Sequence, residues 1–386
     1  MPEASYDVAV IGAGVFGAWT AWHLHHAAQS VLLVDAWGAG HGRSSSGGES
    51  RAIRMGYGSD EIYTRMAMRS LAAWHDLAER TGPPLLRRIG VLWMAREDDG
   101  YSVATRATLA RAGVRTEILA AAELARRYPQ MRLDDPRVFG IFEPDSGALL
   151  ARRAVQAVVE DAAREGMAYA IEAVGPPTGA GPQASVRTVS GREIRAGIFV
   201  FACGPWLPKL FPDLLGSRIF PTRQEVFFFA PPAGDRRFAP PQLPVWIDFR
   251  DPRGPYGFPD LENRGFKLAF DRHGAAFDPD SGDRRLSAEG LAEARRFLTE
   301  RFPALAEAPL VESRVCQYEN TSNGDFLIDR HPDYENVWLV GGGSGHGFKH
   351  GPAVGEYAAG RIAGGGAAEP RFSLARKGVT QDRAVY

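Results

Sequence analysis

Residues 6–17, YDVAVIGAGVFG, and residues 31–35, VLLVD, constrain this chain more than any other feature. The apolar run at 8–11, bounded by Asp7 and Gly12, suits a strand buried on both faces. A helix over 15–28 and a second strand over 31–34 complete a βαβ unit. Between strand and helix, Gly12-Ala13-Gly14-Val15-Phe16-Gly17 satisfies G-x-G-x-x-G. With 44 glycines in 386 residues, chance alone yields about 0.6 such matches, so the pattern by itself decides little. Its context decides more, because it leaves a strand, opens a helix and is followed by a strand ending in Asp35. The glycines allow a tight turn, room for a pyrophosphate and close helix–strand packing. Free N–H groups at the helix start favour phosphate, and Asp35 accepts hydrogen bonds from ribose hydroxyls, which disfavours a 2′-phosphate. These residues predict a dinucleotide site and leave FAD and NAD undivided.

A chain of 386 residues exceeds one simple core, so two domains are expected. A net charge of −1 disfavours nucleic acid or anionic lipid as a bulk partner. No apolar run is long enough to span a bilayer, and residues 1–7 lack a basic start leading into an apolar stretch. Arg383-Ala384-Val385-Tyr386 is not a peroxisomal address. Two lone cysteines, Cys203 and Cys316, suit a reducing compartment, so a cytoplasmic protein without a metal is expected.

Further along, residues 61–80 carry apolar side chains at helical spacing and end at Thr81-Gly82-Pro83-Pro84. Residues 85–142 read as mixed strands with a polar helix at 120–128. A helix follows at 151–165 and a strand at 194–203. Residues 223–315 alternate and are rich in aromatics, which suits an antiparallel sheet. The last seventy residues return to strands (325–329 and 336–340), a glycine loop (341–347) and a helix (350–360). The order predicts an α/β (mixed α+β) protein: a Rossmann-like domain from segments 1–82, 146–222 and 316–386, and an antiparallel or mixed-sheet substrate domain from 83–145 and 223–315. The start of the last helix would aim N–H groups at the far end of a bound cofactor, which favours the negative charge of a reduced flavin.

Several stretches carry a family resemblance in order along the chain. They are the βαβ unit, residues 50–58 (SRAIRMGYG), 202–206 (ACGPW), 256–259 (YGFP), 265–268 (GFKL), 316–318 (CQY), 326–332 (FLIDRHP) and 344–349 (SGHGFK). On these the chain resembles the sarcosine oxidase group of FAD-dependent amine oxidases, within the D-amino-acid-oxidase-like superfamily. The resemblance implies FAD beneath a mixed sheet. A hydride would leave the carbon next to an unprotonated secondary or tertiary amine of a small amino-acid-like substrate that carries a carboxylate. The imine then hydrolyses, and O2 is reduced to H2O2.

It also implies roles. Cys316 stands where the family attaches FAD through a thioether, Lys267 where it activates O2, and Lys349 with Arg54 where it binds the substrate carboxylate. Arg51 lies near the flavin ring, while Tyr57, Tyr256 and Tyr318 are candidates for an aromatic wall beside the amine. His346 joins Lys267, Arg51, Arg54, Lys349 and Tyr318 among the expected catalytic residues. Expected cofactor contacts are Gly12, Gly14, Val15, Phe16, Gly17 and Asp35, then Arg43, Ser44, Ser45 and Arg51. Ala202, Gly204, Trp206 and Cys316 follow, with Gly343, Gly345, His346, Gly347, Phe348 and Lys349 from the C-terminal loop.

Lysine usage supports two of these roles independently. Only four of 45 basic residues are lysine (Lys209, Lys267, Lys349 and Lys377), and two of the four fall at the family's lysine positions. Were Lys and Arg interchangeable there, both would be lysine with odds of about 1%.

The match breaks at two places. Gly47 stands where the family often has a histidine implicated in flavin attachment, which makes covalent linkage less secure than noncovalent binding. Asp271 replaces a substrate-contacting histidine four residues beyond Lys267, and His273 lies two further on. An acid there favours a substrate with an extra hydroxyl or amine. Competing readings are a dehydrogenase of the same fold with another electron acceptor, and a flavoprotein subunit without chemistry. The oligomeric state stays open, with a monomer favoured.

Overall fold

The computed structural model describes residues 5–82, 84–179 and 181–381. The C-terminal tetrapeptide and Pro83 lie outside these residues, as do residues 1–4 of the opening stretch. A seven-stranded sheet carries the strand Ser5–Ile11 at its centre, flanked by Val31–Asp35 and Ala168–Ile171 on one side. Glu193–Phe201, Val337–Gly341 and Leu327–Arg330 follow on the other, and Ser185–Arg187 pairs with Glu193–Phe201. Every pairing within the central run from Ala168–Ile171 to Val337–Gly341 is parallel. Val31–Asp35 is buried at every position, as a strand covered on both faces must be. The helix Val15–His26 covers one face and packs on Gly351–Ile362 so closely that a Cβ at Gly355 would collide with Trp19.

The eight-stranded sheet is mixed. Its order is Leu310–Thr321, Ile219–Phe229, Phe266–Phe270, Pro255–Phe258, Val245–Asp248, Val91–Arg96, Val138–Glu143 and Glu117–Ala120. Val245–Asp248 and Val91–Arg96 pair in parallel, where two separated segments of the chain meet. A short sheet of Arg51–Ile53, Gly147–Leu149 and Leu86–Arg87 lies apart from both.

Residues 223–315 are not sheet alone, since they include the helix Ala288–Arg301. Its N-cap Ser287 accepts a hydrogen bond from Gly290 N at 3.0 Å, and Ala294, Phe297 and Leu298 fill the core beneath the sheet. The helix Gly100–Arg111, capped by Asp99, similarly occupies a stretch expected as strands. Among the described residues no helix is long and apolar enough to cross a membrane.

Candidate active site

Two cavities adjoin. One, of about 440 Å³, opens where the parallel strands end and is lined by Gly12, Asp35, Ala202, Trp206 and Gly343 among others. The second, of about 410 Å³, lies against the eight-stranded sheet and is lined by Arg54, Trp93, Tyr256, Lys267, Asp271 and Lys349 among others. Arg51, Cys316, Tyr318, Gly345 and Phe348 line both, so the two spaces abut at these side chains.

The first cavity is built by the βαβ turn. Gly12 has φ +106°, and a Cβ there would strike the Ala202 carbonyl. Gly17 packs against the backbone of Gly12, which draws the helix onto the strand. Asp35 Oδ2 accepts from Ala13 N at 2.7 Å, and Oδ1 accepts from Trp37 N at 2.8 Å and Gly38 N at 2.9 Å. Asp35 therefore ties the turn together while lining the cavity. The helix N-terminus lacks a side-chain cap at Gly14, and Val15 N donates to Ser46 Oγ at 3.0 Å. An open turn, a helix terminus and a carboxylate along one elongated cavity fit a dinucleotide. Val15, Phe16, Ser44, Ser45, Gly204, Gly347 and Phe348 line it too.

Glu319 also lines this cavity, and sequence reasoning missed it. It is buried, its side chain accepts from Gly342 N at 2.8 Å, and its carbonyl accepts from Ser344 N at 2.9 Å, so it grips the glycine loop twice. Burial pushes its carboxyl up to about 7 against the pull of the Gly342 and Gly343 N–H groups. No local pattern marked it, since it stands in the strand Leu310–Thr321 and meets the glycine loop only through the fold.

In the second cavity the cations are held from below. The Arg54 guanidinium lies 4.4 Å from the Tyr57 ring centroid and 4.6 Å from that of Trp93. Lys349 Nζ donates to His346 O at 2.8 Å and lies 5.0 Å from the same Tyr57 ring. Burial first, and the nearby Arg54 charge second, hold the Lys349 ammonium well below the ordinary lysine value. An anion bound between the two would offset the like-charge repulsion and favour the charged form. Glu143, another residue the sequence did not flag, supports this floor. Its carboxylate accepts from Met55 N, Gly56 N, Trp93 Nε1 and Ser146 Oγ at 2.6–3.1 Å.

Lys267 is 3% exposed and donates to Ser50 O at 2.9 Å and Ser50 Oγ at 3.1 Å, with its Nζ 4.2 Å from the Phe258 ring. Burial, then the Arg51 charge, push its ammonium well below the ordinary value. Arg51 donates to Ser45 O at 2.7 Å and Cys316 Sγ at 3.3 Å. Tyr318 OH donates to Asp271 Oδ1 at 3.1 Å.

Several expected residues sit elsewhere than foreseen: Lys349, expected against the cofactor, lines only the second cavity, and Gly17 lines neither. Tyr57 does not line the chamber; its ring lies under Arg54 and Lys349, and its hydroxyl meets His350 Nε2 at 2.7 Å and His346 Nδ1 at 3.2 Å. His346 lines the chamber, yet its ring stacks on Phe326 and its Nε2 meets the Gly324 carbonyl. Arg43 lines neither cavity, because its guanidinium donates to Asp280 O at 2.7 Å beside Trp37. At Gly47 a Cβ would collide with the His41 carbonyl, which leaves no room for a histidine, and Arg152 and Arg314 both donate to the Gly47 carbonyl.

The fold and these two cavities define a dinucleotide-dependent oxidoreductase with a second chamber lined by buried cations. Residues 7–361 match the family described as FAD dependent oxidoreductase. Peroxisomal sarcosine oxidase of Homo sapiens is 31% identical over 360 residues, covering 91% of this chain and 90% of that protein. N-methyl-L-tryptophan oxidase of Salmonella arizonae is 29% identical over 360 residues, covering 92% of this chain and 94% of that protein. The structure of L-proline dehydrogenase from P. horikoshii superposes with a TM-score of 0.85 at 22% identity, covering 97% of this chain and 98% of that one. The chain belongs to the FAD-dependent oxidoreductase family. It is a sarcosine oxidase-like flavoenzyme that acts on CH–NH bonds, with FAD as its cofactor.

Proposed function

We propose that this protein oxidises a secondary or tertiary amine borne by an amino acid, such as an N-methyl amino acid or a cyclic imino acid, and passes the electrons to O2. The observation that carries this reading is the pair of buried cations, Arg54 and Lys349, facing a chamber that shares Arg51, Cys316 and Tyr318 with the cofactor cavity. Bound FAD supplies a two-electron acceptor there. Arg54 and Lys349 bind the substrate carboxylate, the planar fork fixing its orientation and the ammonium its charge. This turns the amine toward Tyr256 and Tyr318, whose faces favour a methylammonium on arrival. Asp271, bonded to Tyr318, adds an acceptor for a hydroxyl or second amine on a larger substrate.

Lys267 is read as the group that favours O2 reduction, since a cation in a dry site stabilises developing negative charge. Arg51 would raise the electron affinity of the ring beside it. Cys316 lines both cavities, as a thioether to the flavin would require. Yellow colour kept in acid-precipitated protein supports that bond; colour released into the supernatant excludes it. The segments 1–82, 146–222 and 316–386 are proposed as the FAD-binding domain, with 83–145 and 223–315 over the substrate. Two free thiols support a cytoplasmic location. A substrate screen with peroxide detection tests the reading: peroxide from carboxylate-bearing secondary amines supports it, and flavin reduction without peroxide in air removes the oxidase part.

A further inference from the structure

Lys267 stands between two spaces. One is the substrate chamber. The other is a separate cavity of about 50 Å³ that shares Ser50, Phe258 and Lys267 with the chamber. Leu150, Phe228 and Leu261 complete its walls, all of them buried. Its far side is polar: Arg153 and Glu262 form an ion pair at 3.0 Å with both side chains partly exposed, and Arg264 pairs with Glu49 at 3.4 Å. The cavity thus lies between a partly exposed charged rim and a buried ammonium, with apolar side chains along one wall.

Its size and lining select what can use it. One water needs about 10–15 Å³ of such space, so 50 Å³ admits a diatomic molecule but no amino acid. One wall, formed by Leu150, Phe228, Phe258 and Leu261, is apolar, and an apolar gas loses little on leaving water for such a surface. We propose that this cavity is the dioxygen entry site, a passage from the Arg153–Glu262 rim to Lys267 that does not cross the substrate chamber. The proposal rests on the oxidase reading above. At its inner end one O2 takes two electrons and one proton from the reduced cofactor and a second proton from solvent, and leaves as H2O2. Separate entry lets O2 react while the imine still fills the chamber.

Two measurements test the passage. Crystals of the FAD-loaded protein under xenon pressure are expected to show a xenon atom among Leu150, Phe228, Phe258 and Leu261, because xenon settles against apolar side chains. Xenon beside Lys267 only from the chamber side overturns the proposal. In stopped flow, photoreduced Leu261→Trp is expected to react with O2 about tenfold more slowly than the unaltered enzyme, while its anaerobic reduction by amine stays within about twofold. Leu150→Phe narrows the same passage and serves if Leu261→Trp does not fold. Ile247→Trp, which narrows the chamber instead, is expected to slow amine reduction and leave the O2 step unchanged. Unchanged O2 rates in the passage variants, or a slowed O2 rate in Ile247→Trp, contradict the proposal. Failure of the oxidase reading looks different: the unaltered reduced enzyme itself would react with O2 no faster than free reduced flavin.

Discussion

Lys267 Nζ donates to the backbone carbonyl of Ser50 at 2.9 Å, across 217 positions of sequence. A lysine from the eight-stranded sheet is thereby pinned to the residue that precedes Arg51. With a second bond to the Ser50 hydroxyl and Phe258 under its ammonium, its position is set before O2 arrives.

Replacing it is therefore expected to separate the two half-reactions. Lys267→Met should slow flavin reoxidation by about three orders of magnitude, or about 4 kcal/mol, while reduction by amine stays near normal. Stopped-flow absorbance reads both steps, and equal losses in each would remove the O2 role.

The same lysine sets a pH dependence. Its burial lowers the folded pKa well below the ordinary value of 10.5, so the charged form is lost as pH rises through that lowered value. The second-order rate constant with O2 should fall with rising pH well before pH 10.5. In Lys267→Met that decline should vanish. A flat profile in the unaltered enzyme contradicts the assignment.

The carboxylate clamp is expected to act through binding. Lys349→Met leaves Arg54 alone on the acid group and should lower kcat/KM for carboxylate substrates by about 100-fold, a typical loss for one partner of a desolvated ion pair. The carboxamide analogue of the same amine should be affected by far less. Equal losses for acid and amide would show that Lys349 does not touch the carboxylate.

Glu143 is expected to matter for stability first. All four of its partners are donors, so Glu143→Gln turns an amide N–H₂ toward a donor. The cost is about 2–3 kcal/mol, and Tm should fall by about 5 °C, measured by the release of flavin fluorescence on heating. An unchanged Tm would mean that the floor under Arg54 is held by other contacts.

Glu319 gives stability a second pH dependence. Its folded pKa is raised from 4.5 to about 7, so the neutral form is favoured in the fold. The stabilisation is full below pH 4.5 and is lost as pH rises to about 7, by about 3 kcal/mol in all. Melting curves of Glu319→Gln should lack that decline between pH 5 and 8. A parallel decline in both proteins would assign it to another group.

Much of this was legible in sequence because it depends on local pattern. The βαβ turn, Asp35 and the glycine loop announce themselves by residue type and position, and the two lysines stood out in a chain that otherwise uses arginine. The helix Ala288–Arg301 was also legible in principle, since Leu291, Ala294, Phe297 and Leu298 follow a helical period behind the Ser287 cap. The aromatic texture around it favoured strands instead. Glu143 and Glu319 had no comparable signal. A buried carboxylate is defined by the donors that surround it, and these come from Met55, Trp93 and Gly342, far away in the chain. Tyr57 failed for a related reason: residue type could not tell a chamber wall from a floor beneath Arg54.

The most direct measurement is an anaerobic titration of the yellow protein, followed at the flavin absorbance maximum. The titrants are N-methyl amino acids, cyclic imino acids and glycated amino acids, each with its decarboxylated counterpart. Bleaching by at least one carboxylate-bearing amine, and about 100-fold weaker bleaching by the counterpart that lacks the acid, is the expected result. No bleaching by any of them, or equal bleaching with and without the carboxylate, would contradict an amine-oxidising chamber built around Arg54 and Lys349.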